Sequence, residues 1–131
     1  MTNIFFYGLF MDPDILRARG VEPRAPRKAS VPGWGVRIGR RAVLEPRLSA
    51  RAFGMVYALT DREIQSLYAE PGLNTYRPQL LLASFEDGIL RTVAAWNSRV
   101  APGKPDPAYA AKLRAVLERL GLPSDGIRAI P

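Results

Sequence analysis

The hydrophobic pattern along the chain switches between short unbroken apolar runs and helical spacing. Asn3 to Tyr7 is a run of β-branched and aromatic residues closed by Gly8, which predicts a buried first strand. Asp12-Pro13-Asp14 then supplies an N-cap, a first-turn proline and an acid at a helix start, predicting a short helix from Pro13 to Arg19 that ends at Gly20. Residues 21 to 28, with Pro23 and Pro26 among Arg24, Arg27 and Lys28, read as a surface loop. Ser30 to Gly39 and Arg40 to Leu44 are strand-like runs broken by glycines, and Glu45-Pro46-Arg47 reads as a loop between strands. Ala52 to Leu59 predicts a buried strand.

Thr60-Asp61-Arg62-Glu63 is a capping box, so a helix is expected over Asp61 to Tyr68, stopped by Pro71-Gly72. Tyr76 to Ser84 and Ile89 to Trp96 predict two strands joined by a turn whose Asp87-Gly88 is a hairpin signal. After a proline-rich loop from Ala101 to Pro107, Asp106 caps a last helix through Leu120, with Ala110, Leu113, Val116, Leu117 and Leu120 on one face and Gly121 at its end. Pro123 to Pro131 read as a tail wrapping the surface. Strands dominate and no βαβ alternation is present. The expected class is α+β: a mixed, largely antiparallel sheet curled into a small barrel, with about three short helices packed on it. The length of 131 residues fits a single domain spanning 1–131.

Composition narrows the chemistry more than the fold. The chain has no histidine and no cysteine. Ser-His and Cys-His nucleophilic systems, disulfides and the usual zinc sites are therefore excluded, which leaves a carboxylate, a tyrosine or backbone amides as first candidates. No apolar run approaches the roughly 20 residues of a membrane span, and the N-terminus lacks the basic region of a signal peptide, so the expected location is cytoplasmic without membrane attachment. The net charge of +7 comes from sixteen arginines and three lysines against twelve acids. Only Arg40 and Arg41 are adjacent arginines, and no helix carries a basic face with interleaved aromatics, which argues against a nucleic-acid partner. A positive field that attracts a small carboxylate-bearing substrate is the functional reading of this charge. The sequence leaves the oligomeric state open.

Position accounts for most of the acids. Asp12, Asp14, Asp61, Glu63 and Asp106 lie at helix starts, Glu86, Asp87 and Asp125 in turns, and Glu22 and Glu118 read as solvated. Glu45 reads as a surface residue. Glu70 differs: it follows a helix, precedes a turn and a strand, and has Leu67, Tyr68, Leu73 and Tyr76 around it. Burial against such neighbours would suit it to general acid or base work. A second element is Tyr7-Gly8-Leu9-Phe10-Met11, where Gly8 lets the backbone approach a ligand and the amides of Leu9, Phe10 and Met11 lead into a helix start that suits an anion. The spacing Gly33-Trp34-Gly35 to Gly39 is GxGxxxG rather than a dinucleotide-binding GxGxxG, and glycines that let a curved strand bend account for it.

Together these elements resemble the gamma-glutamylcyclotransferase-like family. Tyr7-Gly8 followed by Met11-Asp12-Pro13 and Arg17-Ala18-Arg19 is similar to that family's Tyr-Gly motif and first helix. Gly54-Met55-Val56-Tyr57-Ala58-Leu59-Thr60 resembles its Gly-x-Val-Tyr-x-Leu-Thr strand. Leu67-x-x-Glu70, with Tyr76-Arg77 beyond it, resembles its Leu-Asp-x-x-Glu-Gly segment, and Pro107-x-Tyr109 to Gly121-Leu122-Pro123 its terminal helix. The resemblance implies cyclisation of a gamma-glutamyl amine or amino acid to 5-oxoproline without a cofactor. It casts Glu70 as general acid/base, Tyr7, Gly8, Leu9, Phe10 and Met11 as the loop holding the gamma-glutamyl head and oxyanion, and Tyr76 as an orienting neighbour.

Leu9 and Phe10 depart from the family pattern, in which a small polar residue usually follows Tyr-Gly. Tyr68 replaces the usual Asp and Pro71 the usual Gly. Two other functions are compatible with the residues: a non-catalytic member of the fold that binds a small anionic metabolite, and a basic nucleic-acid-binding barrel.

Overall fold

In the computed structural model, which describes residues 1–129, the first apolar run is strand β1 (Thr2–Phe6), buried from Ile4 onward. A 3-10 turn (Leu9–Met11) and helix α1 (Pro13–Ala18) follow, then two long strands, β2 (Arg24–Ile38) and β3 (Ala42–Leu59). Helix α2 (Asp61–Tyr68) leads to the hairpin of β4 (Arg77–Phe85) and β5 (Leu90–Asn97). Helix α3 (Pro107–Leu120) and strand β6 (Ile127–Ala129) complete the order.

The strands close on themselves. β1 pairs antiparallel with β3 and parallel with β5, β5 antiparallel with β4, β4 with β2 through Ala29 and Ser30, and β2 antiparallel with β3 along most of its length. Five strands thus form a closed mixed barrel with the helices against it, the α+β class expected. The parallel pair matters most for the site, because it brings the C-terminal ends of β1 and β5, and so Tyr7 and Trp96, to the same barrel mouth. Asn97 closes the wall there: its side chain accepts from the Leu44 N–H at 2.8 Å and donates to the Leu44 carbonyl at 3.1 Å, as a neighbouring strand would.

The core joins Ile4, Phe5, Phe6, Val56, Tyr57 and Leu59 of the strands to Leu16, Ile64, Leu67, Leu113 and Leu117 of the helices. Removing these apolar surfaces from water is the main drive for the helices to dock. Specific bonds then fix their placement. Tyr57 donates to the Met11 carbonyl at 2.7 Å, and Arg119 near the end of α3 pairs with Asp12, the N-cap of α1, at 2.6 Å.

Three expectations are corrected. Residues 21 to 28 are not all loop: β2 begins at Arg24, and Pro26 is accommodated by a register shift between Arg24 and Arg27, where Ala25 takes φ 50°. Glu45-Pro46-Arg47 is not a connection but lies within β3, Glu45 opposite Gly35 and Pro46 opposite Trp34. An adjacent shift between Pro32 and Trp34, with Gly33 at φ 83°, relieves the ladder there. The segment after Pro123 is not merely a surface tail: β6 adds in parallel to Val36–Ile38 of β2. Its last two residues, 130 and 131, lie outside the described region. Among the described residues no helix is long and apolar enough to cross a membrane.

Candidate active site

The barrel mouth at the ends of β1 and β5 opens into a cleft of about 700 Å³. That is within the range of small-molecule sites. Its lining includes Tyr7, Gly8, Leu9 and Phe10 from the turn after β1, Tyr68 and Glu70 from the end of α2 and the loop beyond it, and Tyr76, Trp96 and Tyr109. Residues proposed from the sequence at positions far apart are therefore brought to one cavity.

Each is placed by a local device. The capping box starts α2 as expected, Thr60 accepting from the Glu63 N–H at 3.2 Å and Glu63 from the Thr60 N–H at 2.9 Å. The helix stops at Tyr68 with Ala69 as its C-cap, and it could not continue past Glu70, the residue before Pro71, which is disfavoured in helical conformation. Glu70 then heads a tight turn, its carbonyl accepting from the Leu73 N–H at 3.1 Å, with Gly72 at φ 90°. Thr75 and Ser98 hydroxyls share a hydrogen bond at 2.8 Å and anchor the loop to the segment after β5.

Glu70 is not buried as its neighbours in sequence suggested. Its side chain is 38% exposed, and its Oε1 accepts from Arg19 at 3.0 Å. Arg19, the C-cap of α1, also lies over the Phe10 ring, 5.2 Å from its centroid.

The turn after β1 is more selective than expected. Met11 is fully buried outside the cleft lining, and its N–H already donates to the Gly8 carbonyl at 3.0 Å. It therefore does not offer an amide to the cleft, which corrects its place among the candidates. The Tyr109 hydroxyl stands against the start of this turn, at Gly8. Leu9 and Phe10 carry the first two amides of the 3-10 turn, where no intrahelical partner exists. Gly8 lets the walls close in: a Cβ there would come within 3.2 Å of the Tyr109 hydroxyl and 3.4 Å of the Ala42 side chain, so the tyrosine would have to give slightly.

The remaining wall is aromatic. Tyr68 stacks on Trp96, centroids 5.4 Å apart, and meets the edge of Phe10 at 6.1 Å. Phe10 and Tyr68, two of the departures from the family pattern, thus touch each other and form one continuous surface. Tyr7 donates to the Trp96 carbonyl at 2.8 Å, and Tyr76 donates to the Ala42 carbonyl. Burial pushes the phenols of Tyr7, Tyr68 and Tyr76 well up from their ordinary value and that of Tyr109 to about 12, so all four are neutral donors at physiological pH.

Sequence reasoning did not single out Arg19, Arg40, Arg41, Trp96, Tyr109 or Lys112 as site residues, though all line the cleft. The adjacency of Arg40 and Arg41 was a visible signal. The others depend on strand order, for Trp96, and on how α1 and α3 dock, for Arg19, Tyr109 and Lys112, which no local pattern encodes.

No protein-family model matches the sequence, and no curated protein matches it. Solved structures do match. A gamma-glutamyl cyclotransferase superposes with a TM-score of 0.77 at 15% identity, over 93% of this chain and 81% of that one. A protein from Arabidopsis thaliana, known from its solution structure, gives 0.65 at 22% identity over 91% and 87%. An AIG2-like protein from Mus musculus gives 0.59 at 14% identity over 84% and 82%. The chain has the gamma-glutamylcyclotransferase-like fold.

Proposed function

We propose that the protein is a cytoplasmic enzyme of gamma-glutamylcyclotransferase type, converting a gamma-glutamyl amine or amino acid to 5-oxoproline and releasing the amine. The observation that carries this reading is the meeting of Glu70 with the Gly8-Leu9-Phe10 turn on one cleft of substrate size. Glu70 is the general acid/base. Its carboxylate takes a proton from the substrate's alpha-amino group as that nitrogen attacks the gamma-carbonyl carbon. The carbonyl oxygen gains the electron pair and becomes an oxyanion, which the amides of Leu9 and Phe10 stabilise, with the neutral Tyr109 hydroxyl near Gly8. Collapse of the oxyanion breaks the bond to the leaving nitrogen, which receives the proton from Glu70. The ring, closed by the attack, becomes 5-oxoproline as its nitrogen passes its surplus proton to the released amine, and Glu70 is again a carboxylate.

A second reading, a non-catalytic binder of a small anionic metabolite, is favoured by one observation. The carboxylate of Glu70 is engaged by Arg19, while Arg40, Arg41 and Lys112 add positive charge to the lining. Incubation with a panel of gamma-glutamyl amino acids and amines, followed by quantitation of 5-oxoproline, separates the two. Turnover of at least one compound is expected. Absence of product from the whole panel, with retained binding of anions, would favour the binder.

A further inference from the structure

The head of a gamma-glutamyl compound carries an ammonium and a carboxylate on one carbon. A site that takes its nitrogen at Glu70 therefore needs a cationic partner immediately beside that residue. Four cations line the cleft, Arg19, Arg40, Arg41 and Lys112, and among the described residues Arg19 is the one paired with Glu70. Its Nε and Nη2 both approach Oε1 at 3.0 Å, and the guanidinium is steadied over the Phe10 ring. Arg41 is committed elsewhere, donating to the Ala101 carbonyl at 2.8 Å, and Arg40 packs its stem by Gly103.

We infer that Arg19 is the receptor for the alpha-carboxylate of the substrate, and that the Arg19–Glu70 ion pair of the free protein is exchanged on binding for two pairs with the substrate's own charges. The inference rests on the gamma-glutamyl reading of the cleft and adds a specificity-determining residue to it. Three features support the exchange. The side chains of Arg19 and Glu70 are 40% and 38% exposed, and an ion pair so wetted contributes little, so it opens readily. The guanidinium fork matches a carboxylate with two parallel hydrogen bonds, which a single carboxylate oxygen of Glu70 does not fully use. The charges of the exchange also balance: a salt bridge and a zwitterion become two salt bridges, and no new unpaired charge is created.

Isothermal titration of 5-oxoproline and of its amide, 5-oxoprolinamide, into the wild type, Arg19→Gln and Arg19→Lys tests this without requiring turnover. The wild type should prefer the acid over the amide by about tenfold or more, the usual worth of a charge-assisted hydrogen bond. Arg19→Gln should abolish that preference, and Arg19→Lys should restore part of it. An acid preference unchanged in Arg19→Gln would overturn the inference, as would a wild type that binds neither compound or both equally. If the predicted pattern is found and the wild type makes no 5-oxoproline from any gamma-glutamyl compound, the catalytic reading fails and Arg19 remains a carboxylate receptor.

Discussion

The hydroxyl of Tyr7 donates to the carbonyl oxygen of Trp96 at 2.8 Å, with Asn97 Oδ1 at 3.2 Å, and so ties the end of β1 to the end of β5. Tyr7 lines the cleft, yet its hydroxyl already has partners within the protein. Its role is to hold the barrel mouth in shape, with the Gly8 turn beginning directly after it. Tyr7→Phe should therefore lower stability by about 1 kcal/mol, the usual worth of such a bond. Turnover should fall far less than in Glu70→Gln. Urea unfolding and initial rates on the same preparations check both. Unchanged stability with lost activity would mean that the hydroxyl acts on substrate.

Glu63 links the start of α2 to β2. Partial burial would raise its carboxyl, but hydrogen bonds from Arg24 and from the amides of Thr60 and Glu22 outweigh this and hold it at about 2. Because the folded value lies below the ordinary 4.5, its contribution to stability is full above about pH 4.5 and is lost as pH falls toward 2. Glu63→Gln should cost about 1–2 kcal/mol at neutral pH and little at pH about 2, where the wild-type carboxyl is itself half protonated. Denaturant midpoints measured across this range would show the two proteins converging as the solution is acidified. Parallel curves would refute the assignment.

Alkaline behaviour carries the opposite sign. The five tyrosines, Tyr7, Tyr57, Tyr68, Tyr76 and Tyr109, are all held above the ordinary phenol value, chiefly by burial, Tyr57 and Tyr109 at about 12. The unfolded chain ionises its tyrosines near pH ~10. Stability is therefore present below that pH and lost as pH rises through it. Tyrosinate absorbance should stay low in the native protein past pH ~10 and rise together with loss of circular dichroism. Tyrosinate that appears while the fold persists would place at least one of these rings in water.

Where the chain carries its own local signal, the sequence is readable. The capping box gave helix α2 its limits, Asp12-Pro13 and Asp106-Pro107 marked two helix starts, and Asp87-Gly88 marked the turn between β4 and β5. Glu70 emerged by elimination, since capping and turn roles accounted for most other acids. The misreadings share a physical origin. Pro26 and Pro46 would normally end strands, but register shifts at Ala25 and Gly33 let β2 and β3 run on around them. The parallel pairing of β1 with β5 and the docking of α3 are tertiary, so Trp96 and Tyr109 had no local mark as neighbours of Tyr7. Arg19 reaches Glu70 across 51 positions, and nothing in either segment announces the other.

The central claim is that Glu70 moves the proton in the formation of 5-oxoproline. The most direct measurement compares 5-oxoproline release by the wild type and Glu70→Gln on the best substrate of the gamma-glutamyl panel, with thermal midpoints taken on both. Since Glu70 is partly exposed on a loop, the variant should fold with nearly the same midpoint. Its turnover should drop by about 10²-fold or more, as expected on removing a general acid/base. Equal turnover by a folded Glu70→Gln would contradict the account.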